Sequence, residues 1–344
     1  MSEYHFSRTS LSPEFFKRTA DFIVSVQEPG GSIPAVEGGI SDPWNHVEAA
    51  MGLSIGGRYR EAKKAYDWLI ETQMNNGSWW DAHKGGSVMD DTRIDSNHVA
   101  YIATGVWHHF LITREKKFLK RMWPTVEAAV QFVLSLQTDY GEISWAVNEK
   151  NEVHEDALKA GCCSIFKSLE CAVDIARVLE KKTQPWELAR NRLGHTVRSR
   201  PGRFDRTWES KSRYSMDWFY PVLTGVIIGP AAVVHLNSGW ATFVVDRLGC
   251  RCVSDEPWVT VAESCELVMS LIGAGNRKKA AELFGWLQKY RETNGSFWTG
   301  YVYPRGEFWP EEKTTWTAGA VLLAADALVN ATSASRLFTA VSAF

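Results

Sequence analysis

Two distant stretches of this chain share one pattern, and a chain built from repeated units has few ways to fold. They are DPWNHVEAAMGLSIGGRYREAKKAYDWLIETQMNNGSWW (residues 42–80) and DEPWVTVAESCELVMSLIGAGNRKKAAELFGWLQKYRETNGSFW (residues 255–298). Pro43-Trp44 and Val47 match Pro257-Trp258 and Val261. Trp68-Leu69, Asn76-Gly77-Ser78 and Trp80 match Trp286-Leu287, Asn294-Gly295-Ser296 and Trp298, with the offset changed by about one helical turn. A fainter copy runs from residue 95 to 145, with Gln137 and Gly141 in the places of Gln73 and Gly77, and the opening segment ends on Gln27 and Gly31. A QxxxG element thus closes three units.

Each unit reads as a helical hairpin. Apolar residues recur at three- and four-residue spacing, as at Phe118, Met122, Val126, Val130 and Val133, and no alternating run of strand length competes. The spacing predicts helices at 12–28, 43–56, 60–75, 95–113, 117–137, 160–180, 184–198, 213–228, 231–246, 257–274, 276–292 and 314–330. The expected fold is all-α, an (α/α)6 barrel of about six hairpins forming a single domain over residues 1–344. In such a ring the first helix of each pair faces the axis, and the loops that enter those helices gather at one mouth. The stretch QMNNGSWW (73–80) then reads as scaffold: Gly77 in a left-handed stop, with Trp79 and Trp80 packed back on the preceding turn. Trp80, repeated as Trp298, can serve as staple or as cavity wall.

Composition narrows the function. Net charge is −2, which gives no electrostatic reason to expect nucleic acid or an anionic membrane as partner. No segment approaches eighteen uncharged apolar residues, and MSEYHFSRTS lacks the pattern of a secretory signal. Six cysteines, two adjacent and two separated by one residue, do not form a disulfide framework, and a cytoplasmic setting with reduced thiols is expected. No glycine-rich phosphate loop occurs, and no cofactor is expected. A zinc set of Cys250, Cys252, Asp255 and His98 or His46 is a minor alternative, since a lone CxC has low specificity. The sequence leaves the oligomeric state open.

The loops at the proposed mouth, GGISDPWNH, SVMDDTRIDSNH, NEVHEDALKAG, TWESKSRYSMDW, CVSDEPW and EFWPEEKTTW, all carry carboxylates, and nearly all carry an aromatic. Any one of Asp42, Asp95 or Asp255 is most simply a helix cap. Six such loops in one ring suit paired-carboxylate chemistry, in which one acid protonates a leaving oxygen and another activates water. Glu256 is the expected acid and Glu312 the expected base, with Glu311, Asp217 and Glu142 as further catalytic candidates. Adjacent acids beside Trp258 or Trp309 would have one pKa raised if buried, and would simply ionise on an exposed turn. Asp42, Trp44, His46, Asp95, His98, Trp107, Arg213, Trp218, Asp255, Trp258, Trp298, Tyr301 and Trp316 are candidates for holding a small-molecule or oligosaccharide substrate, since sugar rings stack on aromatics and need their hydroxyls satisfied.

Two families of helical toroids are similar at this point. The QxxxGSW ending at Gln73, Gly77 and Trp79 resembles the motif that ends helices in terpenoid cyclases and prenyltransferase-type toroids, which implies an isoprenoid substrate as the alternative. The nearest match to the aspartate-rich acid motif of those cyclases is VMDD at 88–91, with valine at its first position. Segments 105–146, 164–190 and 263–328 resemble in order those of glucoamylase-type glycoside hydrolases. That resemblance implies a general acid just after Trp145 and a base near Trp298. The chain has Trp145-Ala146 and Trp298-Thr299-Gly300 there. Neither glutamate is carried over, so Glu142, Glu256, Glu311 and Glu312 are the substitutes. Loss of both also leaves open a non-catalytic glycan-binding toroid.

Overall fold

The structure is a computed structural model that describes residues 11–340. Among these residues the helices are α1 (Pro13–Val26), α2 (Pro43–Ile55), α3 (Tyr59–Thr72), α4 (Ser96–Ala100), α5 (Ile102–Thr113), α6 (Lys116–Ser135), α7 (Lys159–Val178), α8 (Gln184–Ser199), α9 (Ser215–Leu223), α10 (Pro230–Phe243), α11 (Val261–Gly273), α12 (Arg277–Trp286) and α13 (Thr315–Val329). The strands are β1 (Ala82–Lys84), β2 (Ser87–Asp90), β3 (Arg93–Asp95), β4 (Ala146–Asn148), β5 (Val244–Val245), β6 (Gly249–Arg251), β7 (Trp258–Thr260), β8 (Gly300–Val302) and β9 (Glu307–Phe308).

The molecule is mostly helical, but the all-α expectation needs correcting. β5 to β9 form one antiparallel sheet in chain order, and β1–β2 and β3–β4 form two smaller ones. These strands are two to four residues long, too short to print a two-residue alternation over the helical signal beside them. Residues 257–260, expected to open a helix, are therefore mostly strand β7, and α11 begins at Val261. The helix expected at 95–113 is interrupted at Tyr101, and that expected at 276–292 stops at Trp286 and continues as a 3-10 turn, Leu287–Tyr290.

Two kinds of helix are present. α2, α7, α11 and α13 bury residues on every face, whereas α3 and α6 are amphipathic and bury one stripe. The packing follows that division. α2 packs on α5, α5 on α7, α7 on α9, α9 on α11, α11 on α13, and α13 returns to α2. α1, α3, α6, α8, α10 and α12 lie against this cycle from outside, α3 touching α2 and α6, and α12 touching α11 and α13. Glycine lets the most tightly packed pair approach: a Cβ on Gly319 would sit 2.6 Å from the Glu48 carbonyl oxygen of α2.

The QxxxG elements have one geometry. The Gln73 amide donates to the Gly77 carbonyl (2.9 Å) and to Thr125 in α6 (2.9 Å). Gln27 does the same with Gly31 and Glu61 in α3 (3.0 Å each), and Gln137 with Gly141 (3.0 Å) and Ala189 in α8 (2.9 Å). Each therefore ties the end of one outer helix to the next outer helix. Gly77 has φ +90°, and a Cβ there would lie 2.3 Å from the Ala128 carbonyl oxygen, so glycine is required for both torsion and space. The second half of the repeat is equally regular. Asn76 Oδ1 accepts from Ser78 N (3.1 Å) and Oγ (2.7 Å), and Asn294 accepts from Ser296 at the same distances.

At the same ends of these units, where each outer helix runs through its QxxxG turn towards the next inner helix, the loops entering the inner cycle are joined to one another. Ser41 and His83 exchange backbone bonds (2.8 Å each). β3 pairs with β4, and Asp156 Oδ2 accepts from Thr207 N (2.6 Å). Ser215 N donates to Cys252 O (2.9 Å), β7 pairs with β8, and Thr315 N donates to Ala35 O (2.9 Å). This collar holds the N-terminal ends of α2, α4, α7, α9, α11 and α13 around one opening.

Candidate active site

Below the collar lies a cavity of about 340 Å³, bounded by the N-terminal ends of α4, α7 and α9 and by the 143–145 loop. Its polar lining includes Asp95, Asn97, Trp145, Tyr214 and Asp217. Asp95 caps α4, its Oδ1 accepting from Asn97 N (2.7 Å) and His98 N (3.3 Å). Burial raises its pKa, which favours the protonated form. Asp217 stands in the first turn of α9, and burial raises its pKa against the pull of Lys159, whose Nζ is 3.3 Å from Oδ2.

Several buried polar atoms at this end of the ring have no hydrogen-bond partner among the described residues: Asn97 Oδ1, Trp145 Nε1, Trp44 Nε1 and Glu263 Oε2. Buried polar groups are nearly always bonded, and the two of these that line the cavity, Asn97 Oδ1 and Trp145 Nε1, are what a hydroxyl-bearing ligand would satisfy. Glu263 lies in the first turn of α11 and is 8% exposed. In the helix cycle α11 is three steps from α5 in either direction. The ends of α4 and α11 therefore face each other across the axis, with Asp95 on one side and Glu263 on the other.

A charged network backs Asp95. Asp81 is buried, accepts from Arg93 Nε and from Asp95 N (3.0 Å), and lies 3.3 Å from His98 Nδ1. Burial raises the Asp81 pKa, but His98, Arg93 and the Asp95 amide together hold it below the ordinary value. Burial alone would depress His98; Asp95, Asp81 and Asp42 instead push it up to about 10. A folded-state pKa above the unfolded value of 6.5 contributes stability that is fully present below pH 6.5 and lost as pH rises through about 10. Chemical denaturation should accordingly show the wild type losing stability relative to His98→Gln between those pH values, and a constant difference would refute a charged His98.

Beneath the mouth the axis is closed by two carboxyl–tyrosine pairs. Tyr101 Oη donates to Glu48 Oε2 and Tyr220 Oη to Glu266 Oε1, both at 2.6 Å. Burial raises Glu48 to about 7 and Glu266 well above the usual carboxyl range, Tyr220 opposing the latter shift. Trp44 stacks on Tyr101 with ring centroids 4.8 Å apart and planes 14° from parallel. The floor pair thus supports an aromatic platform at the mouth.

Of the residues expected from sequence, Asp95 and Asp217 line the cavity, and Trp44 lies on the platform beside it. Asp42 caps α2, its two oxygens taken by Asn45 N (2.9 Å) and Asn45 Nδ2 (2.5 Å), and its charge acts on His98. Trp316 is half-buried in the first turn of α13.

The others have different surroundings. Glu256, Glu311 and Glu312 are exposed on turns, so the burial that would make one of them a proton donor is missing. Glu142 is fully buried. Its burial works to raise its pKa, but Arg203, donating to Oε1 (2.9 Å from Nε), holds it below normal. His46 is clamped between Ile33 N (3.0 Å) and Ala65 O (2.9 Å), and burial lowers it to about 4. Trp218 faces outward, donating to His235 O (3.0 Å) and stacking on Phe243. Trp107, further along α5, stacks on Phe110. Arg213 pairs with exposed Asp255 (2.9 Å). Trp258 donates to Trp309 O (2.7 Å), Trp298 to Glu292 (2.7 Å) while stacked on Phe308, and Tyr301 packs on Tyr290 and Phe308. These aromatics consolidate the collar. Among the described residues no three His, Cys, Asp or Glu side chains converge to hold a metal, and Cys250, Cys252 and Asp255 form no such group.

Glu48, Glu263, Glu266, Asp81, Tyr101 and Tyr220 were not expected from the sequence. A usable signal was present: carboxylates in α2 and α11, helices whose other residues are mostly apolar or small and carry no further charge, have no solvent face to occupy.

No family model matches the chain. A curated protein of Mycolicibacterium hassiacum, MMP endo-(1,4)-3-O-methyl-α-D-mannosidase, is 46% identical over 331 residues, which span 96% of this chain and 90% of that protein. The chain belongs to that mannosidase's family. It is a glycoside hydrolase. Solved structures share the fold of this family member at low identity. A glycosidase in complex with glucose superposes with a TM-score of 0.74 at 14% identity, covering 96% of this chain and 100% of the other. A D-mannose isomerase gives 0.75 at 12%, with the same coverage. A GH63 mannosylglycerate hydrolase from Thermus thermophilus gives 0.70 at 12%, covering 89% and 99%. The QxxxG endings that resembled those of terpenoid cyclases are scaffold bonds between outer helices.

Proposed function

We propose that this enzyme hydrolyses internal α-(1,4) bonds in a chain of 3-O-methylated mannose units, inside a single six-hairpin (α/α)6 toroid. The relative that spans nearly the whole chain is named for that activity. The observation that carries the mechanism is the facing pair at the mouth. Asp95, protonated more readily because it is buried, is the proton donor to the leaving glycosidic oxygen. Glu263, with a buried oxygen that has no partner among the described residues, accepts the proton of the attacking water. Asp217 with Lys159, and the free Asn97 and Trp145 groups, take up sugar hydroxyls, and Trp44 supplies a stacking face. A cytoplasmic setting goes with this reading, supported by six unpaired cysteines.

The test is direct. The purified protein, incubated with an α-(1,4)-linked 3-O-methylmannose oligosaccharide and with its unmethylated counterpart, should shorten the methylated chain at internal bonds, as read by mass spectrometry. Release of single terminal units, or no cleavage of the methylated chain, would refute the reading.

A further inference from the structure

Glycine inside a helix normally has a reason, because alanine is the better helix former. In this structure the reason is usually a neighbour. A Cβ on Gly105 would lie 2.5 Å from Val47, on Gly194 2.6 Å from Phe166, on Gly239 2.5 Å from Trp218, and on Gly319 2.6 Å from the Glu48 carbonyl oxygen. Gly161, the third residue of α7, is different. A Cβ there would meet only Leu158 Cβ at 3.5 Å and Asn97 Cβ at 3.7 Å, ordinary contact distances, and its φ lies outside the left-handed range. Neither packing nor torsion requires glycine. What Gly161 does have is a place in the cavity wall, as do Leu158 and Asn97.

The wall around it is unusually apolar for a sugar site. Ile143, Leu158, Cys162, Ile165 and Met216 line the cavity beside Gly161, and the Cys162 thiol is already committed to the Ile143 carbonyl (3.5 Å). Against Ile143, Leu158, Ile165 and Met216 a free sugar hydroxyl would lose its water without gaining a partner, whereas a methyl ether carbon would be buried favourably, and Asn97 at the edge of this surface is left for the sugar's other hydroxyls.

We propose that the missing side chain of Gly161 keeps open an apolar recess that seats the O3 methyl group of a mannose unit, so that Gly161 is a specificity-determining residue. The inference rests on the substrate reading above and adds where the methyl group is recognised. An alanine at this position would place one methyl group where the substrate's own methyl belongs, in a helix that tolerates it.

The test compares Gly161→Ala with the wild type by calorimetric binding of methyl 3-O-methyl-α-D-mannoside and methyl α-D-mannoside, a readout independent of turnover. The variant should keep or raise its Tm. Its affinity for the methylated glycoside should fall by about tenfold or more, the usual worth of one misplaced methyl in an apolar pocket. The unmethylated glycoside should lose clearly less, so that the preference for the methylated sugar shrinks. Equal losses for both ligands, an unchanged preference, or a wild type with no preference would overturn the proposal. Selective loss in the variant, combined with no cleavage of the methylated chain by the wild type, would uphold the recess and refute the hydrolytic reading, so the two failures are distinguishable.

Discussion

Replacing Glu263 by glutamine is expected to lower kcat by about 10²–10⁴-fold, the contribution of a positioned general base. The substitution keeps the shape of the side chain and removes only its capacity to take a proton. Glu263 is buried in the first turn of α11, and one of its oxygens has no partner among the described residues. A buried oxygen without a partner costs the folded state, and glutamine keeps an oxygen for the Cys252 thiol to meet. The thermal midpoint of the variant should therefore stay level or rise, as is usual when an unsatisfied active-site carboxylate is removed. Tm and kcat measured on one preparation decide the matter. A fall in Tm with activity retained would make Glu263 a structural residue, and its role would pass to another mouth carboxylate.

The largest expected loss of stability lies elsewhere, at Trp79. This side chain is 1% exposed, and its Nε1 donates to the Leu69 carbonyl (2.9 Å), so the indole is pinned to the last turns of α3. Trp79→Ala should cost about 3–5 kcal/mol, the range for truncating a large buried aromatic. Urea unfolding would register it as a lower midpoint with an unchanged slope. Trp80, the adjacent indole, is only half-buried, and its truncation should cost much less. Equal effects at the two positions would contradict the assignment of Trp79 as the staple.

The reason part of this was legible beforehand lies in how each feature is encoded. Helix positions and the repeat were readable because apolar spacing and QxxxG are local patterns, and the three glutamines indeed make the same pair of bonds. The two- to four-residue strands of the collar carry no comparable period. The site was harder. Asp95 and Asp217 stood at helix starts and were found there. Glu263 and Glu48, by contrast, lie within helices that looked like plain core. Glu256, Glu311 and Glu312 stood out in the sequence because they cluster with tryptophan, yet proximity along the chain says nothing about burial, and all three are exposed.

The collar has a consequence for how such an enzyme can diversify. All of its seams except the one at Asp156 are made by main-chain atoms. Amide and carbonyl groups are common to nearly every residue, so the side chains rising from the rim can be exchanged without unfastening it. Selection on sugar preference can then act on the rim while the joints that close it stay the same.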